Sequence, residues 1–476
     1  MAIALVLGPL TLAAVAFAVP SGRWRSWLLP AGGAAHLVLV LLALRRPVVS
    51  AFDGWLLLDP LGRLILGFLS LLFFLCSVYA PGYLALRPDR SNRLFCTCLL
   101  AFLGTMTLIT ESHHLGLMWV ALETTTLASA PLLYFNRNRR SLEATWKYLL
   151  IGSVGIALAL LGSLFLAYAA FRSGLHTSLR FEYLVREAPR LSRPWLHSAF
   201  VLLLVGYGTK MGLAPMHTWK PDAYGESPGL VGALLAGGLT SCAFLALLRF
   251  YQICAAAGEL AFVRQVMIVI GLLSMAVAGV FMARQRDFKR LLAYSSVEHM
   301  GILVLGMGIG GAAVFGALLH LINNGLTKVV LFLSAGNIHR SYGSKLSTHV
   351  SGALRRVPLS GALFLAGFFA ITGSPPFGLF LSEFTILRAA IDSGQFAVGG
   401  LFLAMLFVVF VGMGATVLSV VQGEPSKTIP PNGFHDSVLT VGPAAASLAL
   451  VLLLGVYIPP PLNGLLQNAA SFLEGR

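Results

Sequence analysis

Four charged residues lie deep inside apolar stretches that are as long as membrane-spanning helices. They are Glu123, Lys210, Lys328 and Glu383. A charged side chain near the centre of a bilayer costs about 2.5–3.5 kcal/mol on insertion scales unless it is paired or hydrated. Such residues either form ion pairs that lock helices together or provide a path for ions. Because this chain has four of them, of both signs, we favour a path for ions or protons.

The composition excludes an ordinary soluble protein. Of the 476 residues, 57% are hydrophobic and 11% are charged, whereas soluble domains have about 25% charged residues. Apolar runs of about 20 residues, long enough to span a bilayer, recur along the chain. They lack the ten-residue alternation of a transmembrane barrel, and the first run has no signal-peptide cleavage pattern. We predict an all-α polytopic membrane protein with about fourteen transmembrane helices, at residues 2–19, 27–44, 61–80, 94–110, 114–135, 146–170, 196–216, 228–251, 262–283, 291–310, 312–336, 358–385, 396–422 and 437–458.

Two of these predicted helices, the seventh and the twelfth, are interrupted by proline. Pro215 follows Lys210 in the seventh, and Pro375 and Pro376 precede Glu383 in the twelfth. Proline removes a backbone donor and breaks the helical ladder. Ordinary proline kinks are common in membrane helices, but interrupted helices at matching positions of two halves are typical of inverted-repeat transporters. We therefore predict N-terminal helices 1–3 at 1–93, a first inverted repeat of helices 4–8 at 94–251, a second of helices 9–13 at 262–422, and helix 14 at 437–476.

Positive charge is concentrated in alternate connections. The formal net charge is +15, and more than half of the 33 Lys and Arg residues, including Lys220, Lys289 and Lys427, fall in the odd-numbered connections. The positive-inside rule places these connections in the cytoplasm and both termini on the outer side of a prokaryotic inner membrane. The charge therefore indicates membrane orientation, and we expect no nucleic-acid partner.

The sequence offers no binding motif for a redox cofactor. None of the five cysteines forms a CxxC pair, which disfavours an iron–sulfur cluster or a zinc site. We expect no metal and no cofactor in this chain.

Both deeply placed cations are lysines, and this choice bears on proton transfer. A desolvated lysine can release its proton, whereas arginine stays charged. If Glu123 approaches Lys210, the carboxylate holds the lysine protonated, and separation of the pair lets the proton leave. We predict this contact.

The eleventh apolar segment carries a polar stripe. His320, Asn324 and Lys328 are four residues apart, with Asn323 and Thr327 beside them. At 100° per residue the five side chains cover about 140° of one helix face. Such a face is costly in lipid, so it should line the bundle interior. His320 is either an interhelical hydrogen-bonding residue or a proton carrier, and within this stripe we favour the carrier.

Two groups of acidic and histidine residues lie near the ends of predicted helices. Glu298 and His299 enter the tenth segment from a basic connection, where they either feed the proton path or lie at its interface. Glu111, His113 and His114 fall in a short connection, and we expect them to be solvated.

Four stretches of the chain are together specific to one family. They are GTKMGLAPMHTWKPDAYGESP (208–228), FKRLLAYSSVEHMG (288–301), HLINNGLTKVVLFLSAGNI (320–338) and ITGSPPFGLFLSEFTIL (371–387). In this order they resemble the antiporter-like subunits shared by respiratory complex I, Mrp cation/proton antiporters and group 4 membrane-bound hydrogenases. The resemblance covers about residues 95–390, and it is closest to the hydrogenase-4 component F branch.

The resemblance implies roles for the charged residues. Glu123 corresponds to the helix-five carboxylate and Lys210 to the lysine paired with it. Lys328 corresponds to the central lysine, His320 to the helix-eleven histidine, and Glu383 to the terminal proton acceptor.

This chain departs from the family pattern at two places. Residues 234–238 read Leu-Leu-Ala-Gly-Gly where many relatives have a helix-eight His or Lys, and Asn324 stands where a second helix-eleven histidine is common. We therefore expect the link between Lys210 and Lys328 to depend on water or on His299.

The resemblance also implies a function. The chain would be a proton-translocating subunit of a hydrogenase-type or complex I-like oxidoreductase, with iron–sulfur, nickel–iron or flavin centres only in partner membrane and hydrophilic subunits. Sodium is less favoured because the axis has Lys and His in place of oxygen ligands. The alternatives are an Mrp-type antiporter or inorganic-carbon uptake subunit driven by the ion gradient, and a scaffold that does not pump. An intramembrane hydrolase is disfavoured because Glu298-His299 lacks the HExxH spacing.

Overall fold

The protein is a helical bundle with one small hairpin. The computed structural model describes residues 1–176, 178–425, 430 and 433–475. The first six helices are α1 (Ala2–Ala18), α2 (Gly22–Leu44), α3 (Pro60–Ala85), α4 (Arg93–Glu111), α5 (Leu115–Leu133) and α6 (Arg139–Arg172). An antiparallel hairpin of β1 (Ser50–Ala51) and β2 (Leu56–Leu57) connects α2 to α3.

The middle and the end of the chain add fourteen more described helices. The middle of the chain forms α7 (Phe181–Glu187), α8 (Arg193–Met211), α9 (Trp219–Glu226), α10 (Gly229–Leu234), α11 (Thr240–Ala256), α12 (Leu260–Met282) and α13 (Phe288–Ile309). The remainder forms α14 (Ala312–Tyr342), α15 (Ala353–Arg356), α16 (Pro358–Ile371), α17 (Gly378–Asp392), α18 (Phe396–Val421), α19 (Val438–Val456) and α20 (Pro460–Glu474).

The all-α polytopic prediction is confirmed. Ten spans among the described residues are long and apolar enough to cross a membrane, and each predicted apolar segment coincides with helical structure. The predicted interruptions are present, since α8 and α9 replace one continuous helix and α16 and α17 another. The count of fourteen crossings, the inverted repeats and the boundaries 1–93, 94–251, 262–422 and 437–476 stay predictions. Lys427 and residue 476 lie outside the described residues.

Four helices, α7, α9, α15 and α20, lie outside the predicted spans, because each is too short to span a bilayer. The helix α7 and a following 3₁₀ turn at Ala188–Arg190 occupy a connection that reads as polar. The C-terminal α20 is amphipathic, and its Leu466, Ala469 and Leu473 are buried against α3, α11 and α14.

The most buried helices lie at the centre of the bundle and carry much of its polar content. The span formed by α10 and α11 and the helices α13 and α14 are buried around nearly their whole circumference, whereas α2 and α18 expose one apolar face. Phe407 on α18, for example, is 69% exposed. An apolar outward face is what a bilayer requires, and it leaves the polar stripe of α14 inside.

Glycines permit close helix contacts beside the candidate site. Between α6 and α8, a Cβ on Gly206 would lie 2.6 Å from the backbone nitrogen of Ala159 and 2.7 Å from the carbonyl oxygen of Gly155. Small residues of this kind let membrane helices approach closely enough for backbone contact. The contact fixes α8, and therefore Lys210, against α6.

We expect Gly206→Ala to destabilise the protein. Overpacking typically costs about 1–3 kcal/mol, which outweighs the gain of about 1 kcal/mol in helix propensity. The measurement is the apparent Tm of purified protein in detergent. Gly400→Ala is the matched control, because Gly400 lies inside α18 with no heavy atom within 4 Å of an added Cβ. Equal Tm values for the two variants would contradict the packing argument.

Candidate functional site

The break between α8 and α9 is built from specific backbone contacts. The helix α8 ends with Gly212 in a left-handed conformation (φ +77°), which glycine adopts without steric cost. Pro215 lies within the break. The Trp219 Nε1–H donates to the carbonyl of Thr209 over 2.8 Å, and the Ala214 N–H donates to Ser274 Oγ over 3.0 Å. These bonds satisfy groups that the broken ladder frees and hold the second half against the first.

Glu123 and Lys210 lie together at this break. Lys210 Nζ is 3.7 Å from Glu123 Oε2 and donates to Thr126 Oγ1. Thr126 Oγ1 in turn donates to Glu123 Oε2 over 3.3 Å, so one hydroxyl bridges the pair. Lys210 is buried, whereas the Glu123 side chain is 25% exposed and also accepts from Ser153 Oγ. The pair is therefore linked through a hydroxyl and is not locked by a short direct ion pair.

The central lysine, Lys328, projects from α14 onto α13. Its Nζ donates to Ser295 Oγ over 2.8 Å and lies 3.4 Å from the carbonyl of Leu292. Glu298 follows Ser295 by three residues on the same α13, and its side chain is buried as well. All these polar side chains are buried, so the stripe faces the bundle interior as predicted.

Lys220 is a correction to the sequence analysis, which placed it in a cytoplasmic connection. Its side chain is fully buried, and its Nζ donates to Ser296 Oγ over 3.0 Å. The reason is the helix break, because it lets α9 pack between α6 and α13. Lys289 is also buried, and its Nζ donates to the carbonyl of Ser227, which ends α9. A lysine next to a predicted loop gives no signal of such burial.

A hydrogen-bonded chain of imidazoles and a hydroxyl joins α13, α14 and α17. His299 Nδ1 and His320 Nε2 are 2.9 Å apart, and His320 Nδ1 is 3.0 Å from Ser382 Oγ. Glu298 and His299, for which the sequence left two interpretations, are both buried. Glu298 Oε2 and His299 Nε2 have no hydrogen-bond partner among the described residues and are 3.9 Å apart.

Glu383 lies next to this chain, at the second helix break. The break runs from Thr372 to Phe377 and contains Pro375 and Pro376. The carboxylate is 6% exposed and lies against Gly373, where a Cβ would overlap it. Its Oε1 has no hydrogen-bond partner in the described structure. A buried carboxylate oxygen without a donor is able to take up a proton.

The amides of the α14 stripe flank the same region. Asn323 Nδ2 donates to the carbonyl of Leu319 over 3.2 Å, and Thr327 Oγ1 donates to the carbonyl of Asn323 over 2.8 Å. The side-chain oxygens of Asn323 and Asn324 are buried without a partner among the described residues. Buried acceptors of this kind are usual places for ordered water.

Three of these side chains could also present ligands to a metal ion. His299, His320 and Glu383 each offer one ligand atom, and the three atoms lie within 4.8 Å of one another. Two imidazoles and a carboxylate suit Zn²⁺. Their wide separation in sequence gave no spacing signal for this cluster.

A second buried charged cluster was missed by the sequence analysis. Arg249 makes a two-pronged contact with Asp59, with its second nitrogen 3.0 Å from Asp59 Oδ1. His113 Nε2 is 3.6 Å from Asp59 Oδ2 and 3.3 Å from an Arg249 nitrogen. Arg249 ends a predicted segment, where an arginine reaching toward the membrane surface is ordinary, so the sequence carries no signal of burial.

The expectation that Glu111 and His113 are solvated is therefore wrong. Both are buried, because the hairpin pairs with this connection and Phe181 packs edge-on against His113. His114 is half-buried and stacks on Trp55 with ring centroids 4.1 Å apart.

Ion pairs join the acidic residues of α9 to the neighbouring elements. Lys147 contacts both Glu143 (2.6 Å) and Asp222 (2.8 Å), and Lys345 contacts Glu226 (2.6 Å) and Asp287 (3.2 Å). Apart from Lys147, these residues line a cavity of about 410 Å³. The ion pairs fix α9 to the ends of α6 and α13.

Comparison with known proteins identifies the relatives of this chain. Residues 112–414 match the family described as NADH:quinone oxidoreductase/Mrp antiporter, transmembrane. A hydrogenase-4 component F homolog of Methylacidiphilum infernorum is 35% identical, and the match covers 96% of each chain.

Solved structures share the fold. A chain of respiratory complex I from Thermus thermophilus superposes with a TM-score of 0.78 at 27% identity, covering 96% of this chain and 97% of that one. A chain of the Mrp complex from Dietzia sp. has a TM-score of 0.86 at 21% identity, covering 99% and 97%. These matches extend over nearly the whole length of this chain.

We expect Arg249→Met to lower stability by about 3–5 kcal/mol, because it leaves the Asp59 carboxylate buried and unpaired. The double variant Asp59→Asn/Arg249→Met should regain part of this loss, since Asn keeps the N-cap acceptor for Gly62 and carries no charge. Thermal unfolding in detergent measures both. Arg388→Met, which removes an exposed partner of Asp392, is the control. A double variant no more stable than Arg249→Met would contradict the argument.

Proposed function

Because the chain belongs to the NADH:quinone oxidoreductase/Mrp antiporter transmembrane family, we propose that it translocates protons as the antiporter-like membrane subunit of a multi-subunit complex. The observation that carries this proposal is a series of buried or partly buried titratable side chains on and between two broken helices. It begins at Glu123 and Lys210, includes Lys328 on α14, and ends at Glu383 on α17.

The Glu123–Lys210 pair is the proposed coupling element. While the carboxylate remains near, Lys210 holds its proton. A conformational change in a partner subunit that moves Glu123 away removes this electrostatic stabilisation, and the desolvated ammonium then releases its proton. The Thr126 hydroxyl bonds to both Glu123 and Lys210. It suits this role because hydrogen bonds to a neutral hydroxyl break more easily than a short direct ion pair.

The second half of the proposed path runs from Lys328 to Glu383. The paired imidazoles of His299 and His320 share a hydrogen bond, so a proton accepted on one ring nitrogen can be passed through the other. Ser382 orients His320 from α17. Glu383 then accepts the proton on an oxygen that has no other donor.

Similarity favours an oxidoreductase complex as the setting. The relative with 35% identity over 96% of each chain is a hydrogenase-4 component F homolog, and a chain at 27% identity belongs to respiratory complex I. In this proposal, redox chemistry in partner membrane and hydrophilic subunits drives the movement of Glu123. Those partners would carry the iron–sulfur, nickel–iron or flavin centres, and this chain would carry none.

The test is proton movement into sealed vesicles that contain the complex, recorded as ΔpH during substrate turnover. We expect Lys210→Ala and Glu123→Gln each to reduce acidification at least tenfold. Arg388→Ala removes a cation that is 73% exposed and should leave acidification near wild type. Turnover without acidification in the wild type would indicate a scaffold, and acidification driven by an imposed Na⁺ gradient without turnover would indicate a gradient-driven antiporter. Unchanged acidification in both pathway variants would reject the proposed path.

We further propose that the chain lies in the cytoplasmic membrane of a prokaryote with both termini on the outer side. The excess of Lys and Arg in the odd-numbered connections supports this orientation. A C-terminal alkaline phosphatase fusion should be active and a C-terminal green fluorescent protein fusion dark, since the first matures outside the cytoplasm and the second inside. The reverse result would overturn the orientation.

A further inference from the structure

Lys220 occupies a position in the core that the family comparison does not assign. Its ammonium is fully buried, and its hydrogen-bond acceptors are the hydroxyl of Ser296 at 3.0 Å and the carbonyl of the same residue at 3.5 Å. It lies over the Tyr224 ring, 5.7 Å from the centroid. No salt bridge involves Lys220 among the described residues. A lysine solvated by neutral groups alone is poorly stabilised as a permanent cation.

On one side, Lys220 is linked to Lys328. Lys220 bonds to Ser296, and Lys328 bonds to the adjacent Ser295 of α13 at 2.8 Å. Because the two ammonium groups bond to hydroxyls of adjacent residues on α13, a positive charge on one disfavours a positive charge on the other. Two serine hydroxyls on neighbouring residues therefore separate two lysines that cannot easily be charged together.

On the other side, aromatic side chains connect Lys220 with the Lys210 region. Lys210 Nζ lies 5.6 Å from the centroid of the Tyr148 ring. Tyr148 packs on Trp219 at 5.1 Å between centroids, and Trp219 packs on Tyr224 at 5.9 Å. The Tyr224 hydroxyl is buried without a hydrogen-bond partner in the described structure. Lys220 thus lies between the two lysines of the proposed path.

The local backbone makes space for this side chain. A Cβ at Gly212 would overlap the Lys220 stem, and Trp219, the preceding residue, is fixed to Thr209. Two independent features of the break, a glycine and an indole anchor, therefore direct Lys220 inward.

The eighth predicted transmembrane segment, residues 228–251, contains no lysine. Residues Leu235–Leu239 form a π-helical turn between α10 and α11, and a Cβ on Gly237 would lie 3.2 Å from the Gly325 Cα of α14. Backbones this close leave no room for a lysine side chain there. Besides Lys220, the buried lysines among the described residues are Lys210, Lys289 and Lys328, and Lys289 is bonded to the end of α9.

We propose that Lys220 is the proton carrier between Lys210 and Lys328, an assignment that rests on the proposed function. A proton released by Lys210 reaches the neutral amine of Lys220 through water, because only aromatic packing joins the two lysines among the described residues. It then passes to the Ser296 hydroxyl and, again through water, to the Ser295 hydroxyl, since the described structure has no hydrogen bond between these two groups. Each hydroxyl accepts one proton and donates another, and the last proton goes to the neutral amine of Lys328. Charge repulsion between the two lysines disfavours their simultaneous protonation, so Lys220 can accept a new proton only after Lys328 has passed its own proton on.

The decisive experiment compares a set of substitutions at position 220 in vesicles that contain the whole complex. Lys220→Met removes the carrier, and Lys220→Arg keeps a positive charge that cannot be released. We expect both to reduce acidification per turnover at least tenfold. Lys220→His, which retains a titratable group, should recover part of the rate, and Ser296→Ala should reduce it several-fold. Lys147→Arg is the matched control and should pump like wild type.

The outcomes separate this assignment from the proposed function. If Lys220→Arg pumps like wild type, Lys220 supplies only a fixed charge, and the carrier role is overturned. If Lys220→Met fails to assemble, the Arg variant, which preserves charge and similar length, still gives the answer. If the wild type turns over without acidification, the proposed function itself fails. If Lys210→Ala is inactive while Lys220→Met and Lys220→Arg are active, only the inference about Lys220 is rejected.

Discussion

The interior of this protein is organised around buried positive charges that have few hydrogen-bond partners. Each of the lysines 210, 220 and 328 is met by a hydroxyl, from Thr126, Ser296 and Ser295 respectively. A neutral hydroxyl stabilises the ammonium less than a carboxylate does, so the proton is held weakly. Arg249 is treated in the opposite way, because it receives a two-pronged contact from Asp59. An arginine cannot release its proton, so the Arg249–Asp59 pair has a structural role. The lysines, in contrast, can give up their protons.

The two helix breaks place these groups where continuous helices could not. The first break lets α9 turn back into the bundle and brings Lys220 to α13. The second brings Gly373 against the carboxylate of Glu383 and positions Ser382 for His320. A break in a membrane helix is tolerated when its backbone is buried in protein. Here the cost of freeing backbone groups is offset by hydrogen bonds such as the one from Trp219 to Thr209.

The sequence predicted the helices well because membrane spans follow from local hydropathy, which does not depend on neighbours. It predicted the Glu123–Lys210 contact and the inward face of α14, since charge in an apolar segment has few other solutions. It failed for Lys220, His113 and Arg249, because their burial depends on which distant element covers a helix end. The His299–His320 pair shows the same limit. Each histidine was recognised, but their hydrogen bond requires the packing of α13 on α14, which no local pattern encodes.

The residues of the proposed path differ in their solvent exposure. Lys210, Lys220 and Lys328 are buried on every side, and Glu383 is nearly so. Glu123 is the partly exposed member, and its neighbour on α5, Thr124, faces outward. A partner subunit in contact with this face can therefore reach Glu123 without disturbing the packed core. In the proposed mechanism, coupling enters through displacement of this one carboxylate, because a protein interior at crystalline packing density cannot shift its lysines without large cost.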